Sequence, residues 1–171
     1  MIYSFSNSGF RDPETGVYNQ TYFMEVFNRE WHRHIRDQQS VALLYLCLHI
    51  HETIYQPKLL ELFMKQIQQA LLIPISIRTT DLLARLDNQV FALGLFDINE
   101  AGIHVVLKRL ESQIDEFNQN LLSQSYNPIE YQLAGCVCKP HKDLYLDKLF
   151  NTVEKHTRQS PINGKAKVIE F

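Results

Sequence analysis

Arg78 and Asp81, in the segment Arg78-Thr79-Thr80-Asp81, are two charged residues whose spacing could create a ligand site. A guanidinium presents a rigid fork of donors to phosphate or to O6 and N7 of guanine, and a carboxylate accepts from the N1 and N2 hydrogens of guanine. The alternative is an exposed ion pair at the start of a strand, which would stabilise the fold by well under about 1 kcal/mol. The residue types alone leave both interpretations open.

Cys47, His49 and His51 alternate along a segment rich in strand-forming residues, so their side chains are expected on one face. Thiolate and imidazole are ligands that zinc prefers, but no fourth ligand is evident in the sequence. Histidines satisfied by hydrogen bonds are the simpler interpretation. Cys136 and Cys138 also share a strand face, where buried free cysteines behave as small hydrophobic residues. We therefore predict no metal site and assign these cysteines no role.

The charge balance argues against nucleic acid and membranes as partners. The 171 residues include 17 basic and 19 acidic side chains, a formal net charge of −2. The basic residues between Arg29 and Arg36 follow a helical period that turns Trp31 inward, which is typical of a solvated helix face. No apolar run reaches the roughly 18 residues of a membrane span, and three cysteines without framework spacing suit a reducing compartment. We expect a cytoplasmic protein, with no nucleic acid or membrane contact from this chain, whose partner is a small molecule or another protein.

The glycines are too scattered for a phosphate-binding loop. They lie at positions 9, 16, 94, 102, 135 and 164. Loops of the G-x-G-x-x-G or G-x-x-x-x-G-K kind need clustered glycines where the backbone approaches phosphate. Ordinary nucleotide-binding enzymes are therefore excluded, and we predict no cofactor.

Hydrophobic periodicity predicts the elements that must position these side chains. Asp87 and Asn88 separate two short apolar runs, and both residue types tolerate the positive φ that a tight hairpin turn requires. The predicted elements are a helix over 21–36, a strand over 41–50, a helix from Pro57 to Pro74, strands over 82–86 and 89–95, a helix through 103–121, a strand over 130–138, a helix over 143–156 and a strand over 167–171.

After the first helix the predicted order is βαββαβ. This order predicts an α+β fold of the ferredoxin-like type, with a mixed sheet, flanking helices and an extra N-terminal helix. The sequence has no repeat, low-complexity tract or linker. We therefore expect residues 1–171 to form a single domain, with residues 1–18 as a lead-in segment.

Four stretches of the sequence together resemble one protein family. Residues 12–19 with Tyr22 and Phe23 resemble an opening motif D-x-L-T-G-L-x-N-R-x-x-F, and residues 85–91 fall where a hairpin would carry R-x-G-G-D-E-F. Residues 134–137 resemble a strand S-I-G-V, and residues 164–168 resemble a closing G-R-N-R-V. These motifs are similar to those of the GGDEF family, whose active members condense two GTP molecules into cyclic di-GMP. The resemblance implies the cyclase-palm version of the predicted sheet and a bacterial setting.

The hairpin departs from the family pattern at the positions that would do chemistry. The resemblance implies a degenerate signature loop formed by Asp87, Asn88, Gln89, Val90 and Phe91. The family's metal-binding carboxylate on the first strand aligns with Cys47, whose soft sulfur does not suit magnesium. The resemblance also aligns the acidic metal ligand of the family's hairpin with Val90, which has no ligand atom. Cyclisation requires divalent cations held by hard oxygen ligands. We therefore predict no catalytic residues, no metal and no cyclase activity.

One ligand site of the family has a counterpart in this chain. Many GGDEF domains bind their product at an inhibitory R-x-x-D motif five residues before the signature, and Arg78 and Asp81 keep that spacing. Arg109, on the following long helix, is the candidate for a third contact. Arg85 lies beyond these contacts, so its replacement by alanine is expected to change affinity little.

The resemblance implies a catalytically inactive cyclic di-GMP receptor that relays the signal to a protein partner. That partner would belong to a bacterial signalling or exopolysaccharide pathway of the kind that controls biofilm formation. The family's inhibitory ligand is often an intercalated pair of molecules gripped by two protein surfaces, so we also expect a ligand-bridged dimer. The alternative is a ligand-independent interaction or scaffold domain that has lost both the active and the inhibitory site.

Overall fold

The computed structural model describes residues 9–49, 64–69, 78 and 80–171. Residues 64–69 are helical and belong to the helix predicted between Pro57 and Pro74, the rest of which lies outside the described residues. The other elements are β1 (Tyr18–Asn19), α1 (Gln20–Asp37), β2 (Val41–Leu48), β3 (Leu82–Arg85), β4 (Val90–Phe96), α2 (Glu100–Ser123), β5 (Tyr131–Cys138), α3 (Leu146–Gln159) and β6 (Lys167–Glu170).

The six strands form one mixed sheet in the order β1-β3-β4-β2-β5-β6. The central strand β2 runs antiparallel to β4 and to β5, and β3 runs antiparallel to β4. The two outer pairs, β1 with β3 and β5 with β6, are parallel. This topology confirms the predicted α+β fold with a βαββαβ core and an extra N-terminal helix. The short strand β1, at the end of the lead-in segment, was not predicted.

Helices cover both faces of the sheet, and alternate residues of β2 point to each face. On one face, α2 packs its apolar stripe against a cluster that includes Leu44 and Leu46. On the other face, α1 and α3 pack against a cluster that includes Leu43 and Tyr45. Because both faces are covered, the nearly continuous apolar run of β2 is buried except at Cys47, which is half-buried.

The ends of α1 are set by local backbone chemistry. The Asn19 side chain accepts a hydrogen bond from the Tyr22 amide at 3.0 Å, which caps the helix directly after β1. At the other end, Gln38 adopts a left-handed conformation with φ 55°, and its amide donates to the His34 carbonyl. No helix among the described residues is long and apolar enough to cross a membrane.

Candidate functional site

Arg78 and Asp81 form a two-point ion pair just before β3. Arg78 Nε lies 3.2 Å from Asp81 Oδ2, and Arg78 Nη2 lies 3.3 Å from Asp81 Oδ1. The backbone closes around the pair, because the Asp81 amide donates to the Arg78 carbonyl at 3.0 Å and the Arg78 amide donates back to Asp81 Oδ2 at 3.2 Å. The structure therefore brings together the two residues that the sequence singled out.

The two partners differ sharply in exposure. The Asp81 side chain is 4% exposed, whereas the Arg78 side chain is 53% exposed. Asp81 Oδ1 also accepts from the Phe96 amide at 3.3 Å, and Arg78 Nη2 donates to the Phe96 carbonyl. The pair thus joins the start of β3 to the end of β4. The predicted alternative of an exposed ion pair does not describe Asp81, which is buried.

The Arg78 guanidinium has donors left over for a ligand. Its Nε and Nη2 atoms are used within the chain, but Nη1 donates to no acceptor among the described residues. A half-exposed arginine whose Nε and Nη2 edge is held by a buried carboxylate is oriented before any ligand arrives. Such a group can bind a phosphate oxygen or the acceptor edge of guanine.

Arg109 lies exposed on α2. Leu83, two residues after Asp81, packs in the same hydrophobic cluster as Leu107 and Leu110 of α2. The helix that carries Arg109 therefore covers the face of the sheet reached by this part of β3. The contact of Arg109 with a ligand at Arg78 stays a prediction.

In the signature hairpin, residues 85–91, the side chain of Asp87 binds the backbone amides of the turn. Asp87 Oδ1 accepts from the amides of Gln89 and Val90, each at 2.9 Å. The predicted hairpin is confirmed, because β3 and β4 pair antiparallel on either side of Asp87 and Asn88. The expected positive φ is wrong, because neither residue has one. The aspartate side chain satisfies the turn amides and makes the unusual backbone conformation unnecessary. Asp87 and Asn88 are exposed, whereas Phe91 is fully buried.

Arg85 joins this hairpin to the lead-in segment. Its Nη1 donates to Asp12 Oδ2 at 3.2 Å and to Glu14 Oε1 at 3.1 Å, and its Nη2 donates to the Asn88 carbonyl at 2.8 Å. The Arg85 side chain is only 7% exposed. Asp12 is itself fixed by the amide and hydroxyl of Thr15, at 2.9 and 2.6 Å. Sequence reasoning missed this contact, since the partners lie more than seventy residues apart.

The structure places Cys47 and Val90 directly opposite each other. They are register partners in the antiparallel pairing of β2 with β4, so the two positions that the resemblance associates with metal ligands are neighbours in space. His49, expected on the same strand face as Cys47, has its Nε2 3.1 Å from Gln132 Oε1, and His51 lies outside the described residues. Among the described residues, no group of three or more histidine, cysteine or acidic side chains is arranged to hold a metal ion.

Two buried groups of the central strands have perturbed pKa values. Burial, with smaller contributions from the charges of Glu154 and Asp87, raises the pKa of Tyr45 above its usual range. A hydrogen bond with Cys138, together with burial, raises the pKa of the Cys136 thiol. Both groups therefore stay protonated at neutral pH. A neutral thiol is a poor nucleophile, in agreement with the interpretation of Cys136 and Cys138 as core residues.

The fold and the sequence place the chain in a known family. The family described as "Diguanylate cyclase, GGDEF domain" matches residues 10–167, and the chain belongs to it. No curated protein sequence matches the chain.

Several solved structures share the fold at low sequence identity. The diguanylate cyclase SiaD of Pseudomonas aeruginosa, solved with its activator SiaC, superposes with a TM-score of 0.73 at 16% identity, covering 99% of this chain and 65% of that one. LapD of Vibrio cholerae, solved bound to c-di-GMP, superposes with a TM-score of 0.76 at 14% identity, and the match covers 99% of this chain and 39% of the LapD chain. The coiled coil and GGDEF domain of DgcB from Caulobacter crescentus, in complex with c-di-GMP, superpose with a TM-score of 0.74 at 12% identity. That match covers 99% of this chain and 90% of the DgcB chain. The chain thus spans less than two thirds of the SiaD and LapD chains.

Proposed function

We propose that this GGDEF domain is a catalytically inactive receptor for cyclic di-GMP that binds its ligand through Arg78. The observation that carries the proposal is the half-exposed Arg78 guanidinium held in place by the buried carboxylate of Asp81. In this proposal the domain acts in the bacterial cytoplasm and passes the ligand signal to a protein partner of a signalling or exopolysaccharide pathway.

The geometry suggests different roles for the two residues of the motif. Arg78 Nη1 points its donors away from the pair and supplies the direct contact with phosphate or guanine. Asp81 is a positioning residue in the ligand-free state, because its oxygens already accept from Arg78 and from the Phe96 amide. A side chain fixed in its binding orientation loses little conformational entropy when the ligand arrives, and this increases affinity. Arg109 supplies a weaker third contact from α2.

The absence of cyclase activity is proposed from the chemistry of Cys47 and Val90. Metal-assisted cyclisation needs hard oxygen ligands. Cys47 and Val90, which lie opposite each other on neighbouring strands, have no side-chain oxygen. Asp87, the nearest hairpin carboxylate in sequence, directs an oxygen to its own turn amides. Purified protein supplied with GTP and magnesium or manganese should therefore form no cyclic di-GMP above background. Robust turnover would overturn this part of the proposal.

Calorimetric titration with cyclic di-GMP tests the binding role of each residue. Arg78→Ala and Asp81→Ala should each weaken binding at least about tenfold, equivalent to about 1.4 kcal/mol, and Arg109→Ala should weaken it less. Arg33→Ala is the matched control, because the two arginines have similar surroundings. The Arg33 side chain is 54% exposed and lies 3.5 Å from Glu30. The Arg78 side chain is 53% exposed and lies 3.2 Å from Asp81. Asp81 is buried, so circular dichroism must show that Asp81→Ala still folds.

One observation favours a second candidate function, a ligand-independent docking or scaffold domain. Arg78 and Asp81 already satisfy each other and the Phe96 backbone, so the pair could serve the fold alone. The same calorimetric titration distinguishes the receptor from the scaffold domain, because a scaffold domain gives no binding heat with cyclic di-GMP. Light scattering at saturating ligand then tests the ligand-bridged dimer, for which we expect the mass to double.

A further inference from the structure

A groove of about 650 Å³ runs between α1 and α3, on the face of the sheet opposite α2. Its apolar lining is formed by Met24, Leu146 and Phe150. The Phe150 ring is fixed from below by an edge-on contact with Phe27, with ring centroids 5.4 Å apart. The groove therefore has a rigid apolar floor that belongs to the core and is open to solvent on its outer side.

Charged side chains are arranged along this groove and the shallower one beside it. Glu25 and Asp147 line the first groove, while Lys148 and Lys155 line the second, and Asp147 and Asn151 belong to both. The α1–α3 strip, defined by these five residues, is thus acidic at its α1 side and basic at its far side. Its formal charges sum to zero.

The charges of the strip form no ion pair within the part of the chain that the structure describes. Among the described residues, Glu25, Asp147 and Lys155 have no ion-pair partner within 4 Å. On the same two helices, by contrast, Arg33 pairs with Glu30 and Arg158 pairs with Glu154. Unpaired charges of both signs beside an apolar floor suit a surface that is covered by a partner of complementary pattern.

We propose that the partner is a second copy of this chain, bound through the α1–α3 strip about a two-fold axis. A two-fold interface sets one patch against itself, so the patch must be self-complementary. With the axis near Asn151, the acidic side of one strip faces the basic side of the other, and Glu25 meets Lys155 twice. Asn151 carries both a donor and an acceptor, so its two copies can bond reciprocally at the axis. The apolar floors, centred on Phe150, then cover each other.

This dimer is independent of cyclic di-GMP and of the proposed receptor function. The strip involves one face of each of two helices, a small area for a specific interface. We therefore expect weak association that becomes visible at protein concentrations of about 0.1 mM and weakens as salt screens the charge pairs.

Sedimentation equilibrium of the ligand-free protein, up to about 1 mM, tests the proposal. The mass should rise with concentration from 20.1 kDa towards twice that value. Glu25→Lys alone and Lys155→Glu alone should each hold the protein monomeric, because either change sets like charges against each other twice. The double variant carrying both changes should dimerise again, since each pair is restored with its signs exchanged.

Arg158→Glu is the control for charge reversal on α3, because Arg158 is exposed, pairs with Glu154 and lies outside the strip. It should dimerise like the parent. Restored association in the double variant cannot come from a folding defect, so it supports the interface directly. A parent protein that stays at 20.1 kDa at every concentration contradicts the proposal, and so does a dimer that neither single reversal weakens.

Discussion

The contact between Arg85 and the lead-in segment should be a major source of stability for the signature hairpin. Arg85→Ala removes a partly buried ion pair with Asp12, a second ion pair with the half-exposed Glu14, and a hydrogen bond to the Asn88 carbonyl. Breaking a fully buried pair costs about 3–5 kcal/mol. Two features lower this cost here. Thr15 continues to satisfy Asp12, and buried Arg85 Nε has no hydrogen-bond partner among the described residues. We therefore expect the free energy of unfolding to fall by about 2–3 kcal/mol.

Urea denaturation followed by circular dichroism measures this change. Arg158→Ala is the control, because its ion pair with Glu154 is short, 2.6 Å, but the arginine side chain is 77% exposed. Exposed pairs of this kind contribute about 0.3–0.5 kcal/mol. The free energy of unfolding of Arg85→Lys should lie between those of Arg85→Ala and Arg158→Ala, because one ammonium cannot bind all three acceptors that the guanidinium reaches. If Arg85→Ala is as stable as Arg158→Ala, the contacts of Arg85 do not stabilise the hairpin.

Two further predictions concern the core. A Cβ atom at Gly94 would lie 2.9 Å from Phe27 Cδ2, so Gly94→Ala should destabilise the fold by about 1–3 kcal/mol through overpacking, measured as a lower urea midpoint. The raised pKa of Tyr45 means that its phenol ionises in the unfolded chain near pH 10 while it stays protonated in the folded one. Stability should therefore fall as pH rises above about 10, and Tyr45→Phe should lose less stability over that range; equal losses in the two proteins would contradict this.

Much of the fold could be predicted because local patterns determine it. The strand predicted over 41–50 corresponds to β2, and the structure buries all of β2 except half-buried Cys47. The helix predicted through 103–121 corresponds to α2, whose apolar residues pack in one cluster under the sheet. The helix α3 begins at Leu146 rather than near Asp143. Helix and strand periods depend on neighbours in sequence, so sequence alone carries them.

The candidate site was only partly predictable, because its decisive contacts are non-local. The spacing of Arg78 and Asp81 indicated a pair, but the burial of Asp81 depends on the Phe96 backbone at the end of another strand. Likewise, sequence alone placed Arg85 beyond the ligand contacts and gave no indication of its role in stability. Its partners Asp12 and Glu14 come from the far end of the chain, and no local pattern indicates that they meet. Arg33, which resembles Arg78 in exposure and pairing, is therefore the better binding control.

Cyclic di-GMP should bind at Arg78 and not at the signature hairpin. A crystal structure of the protein grown with saturating cyclic di-GMP would locate the ligand. We expect ligand density within hydrogen-bond distance of Arg78 Nη1, with Asp81 beside it and no nucleotide at residues 87–90. Ligand bound at the hairpin, or a structure without ligand at Arg78, would show that Arg78 is not the binding residue.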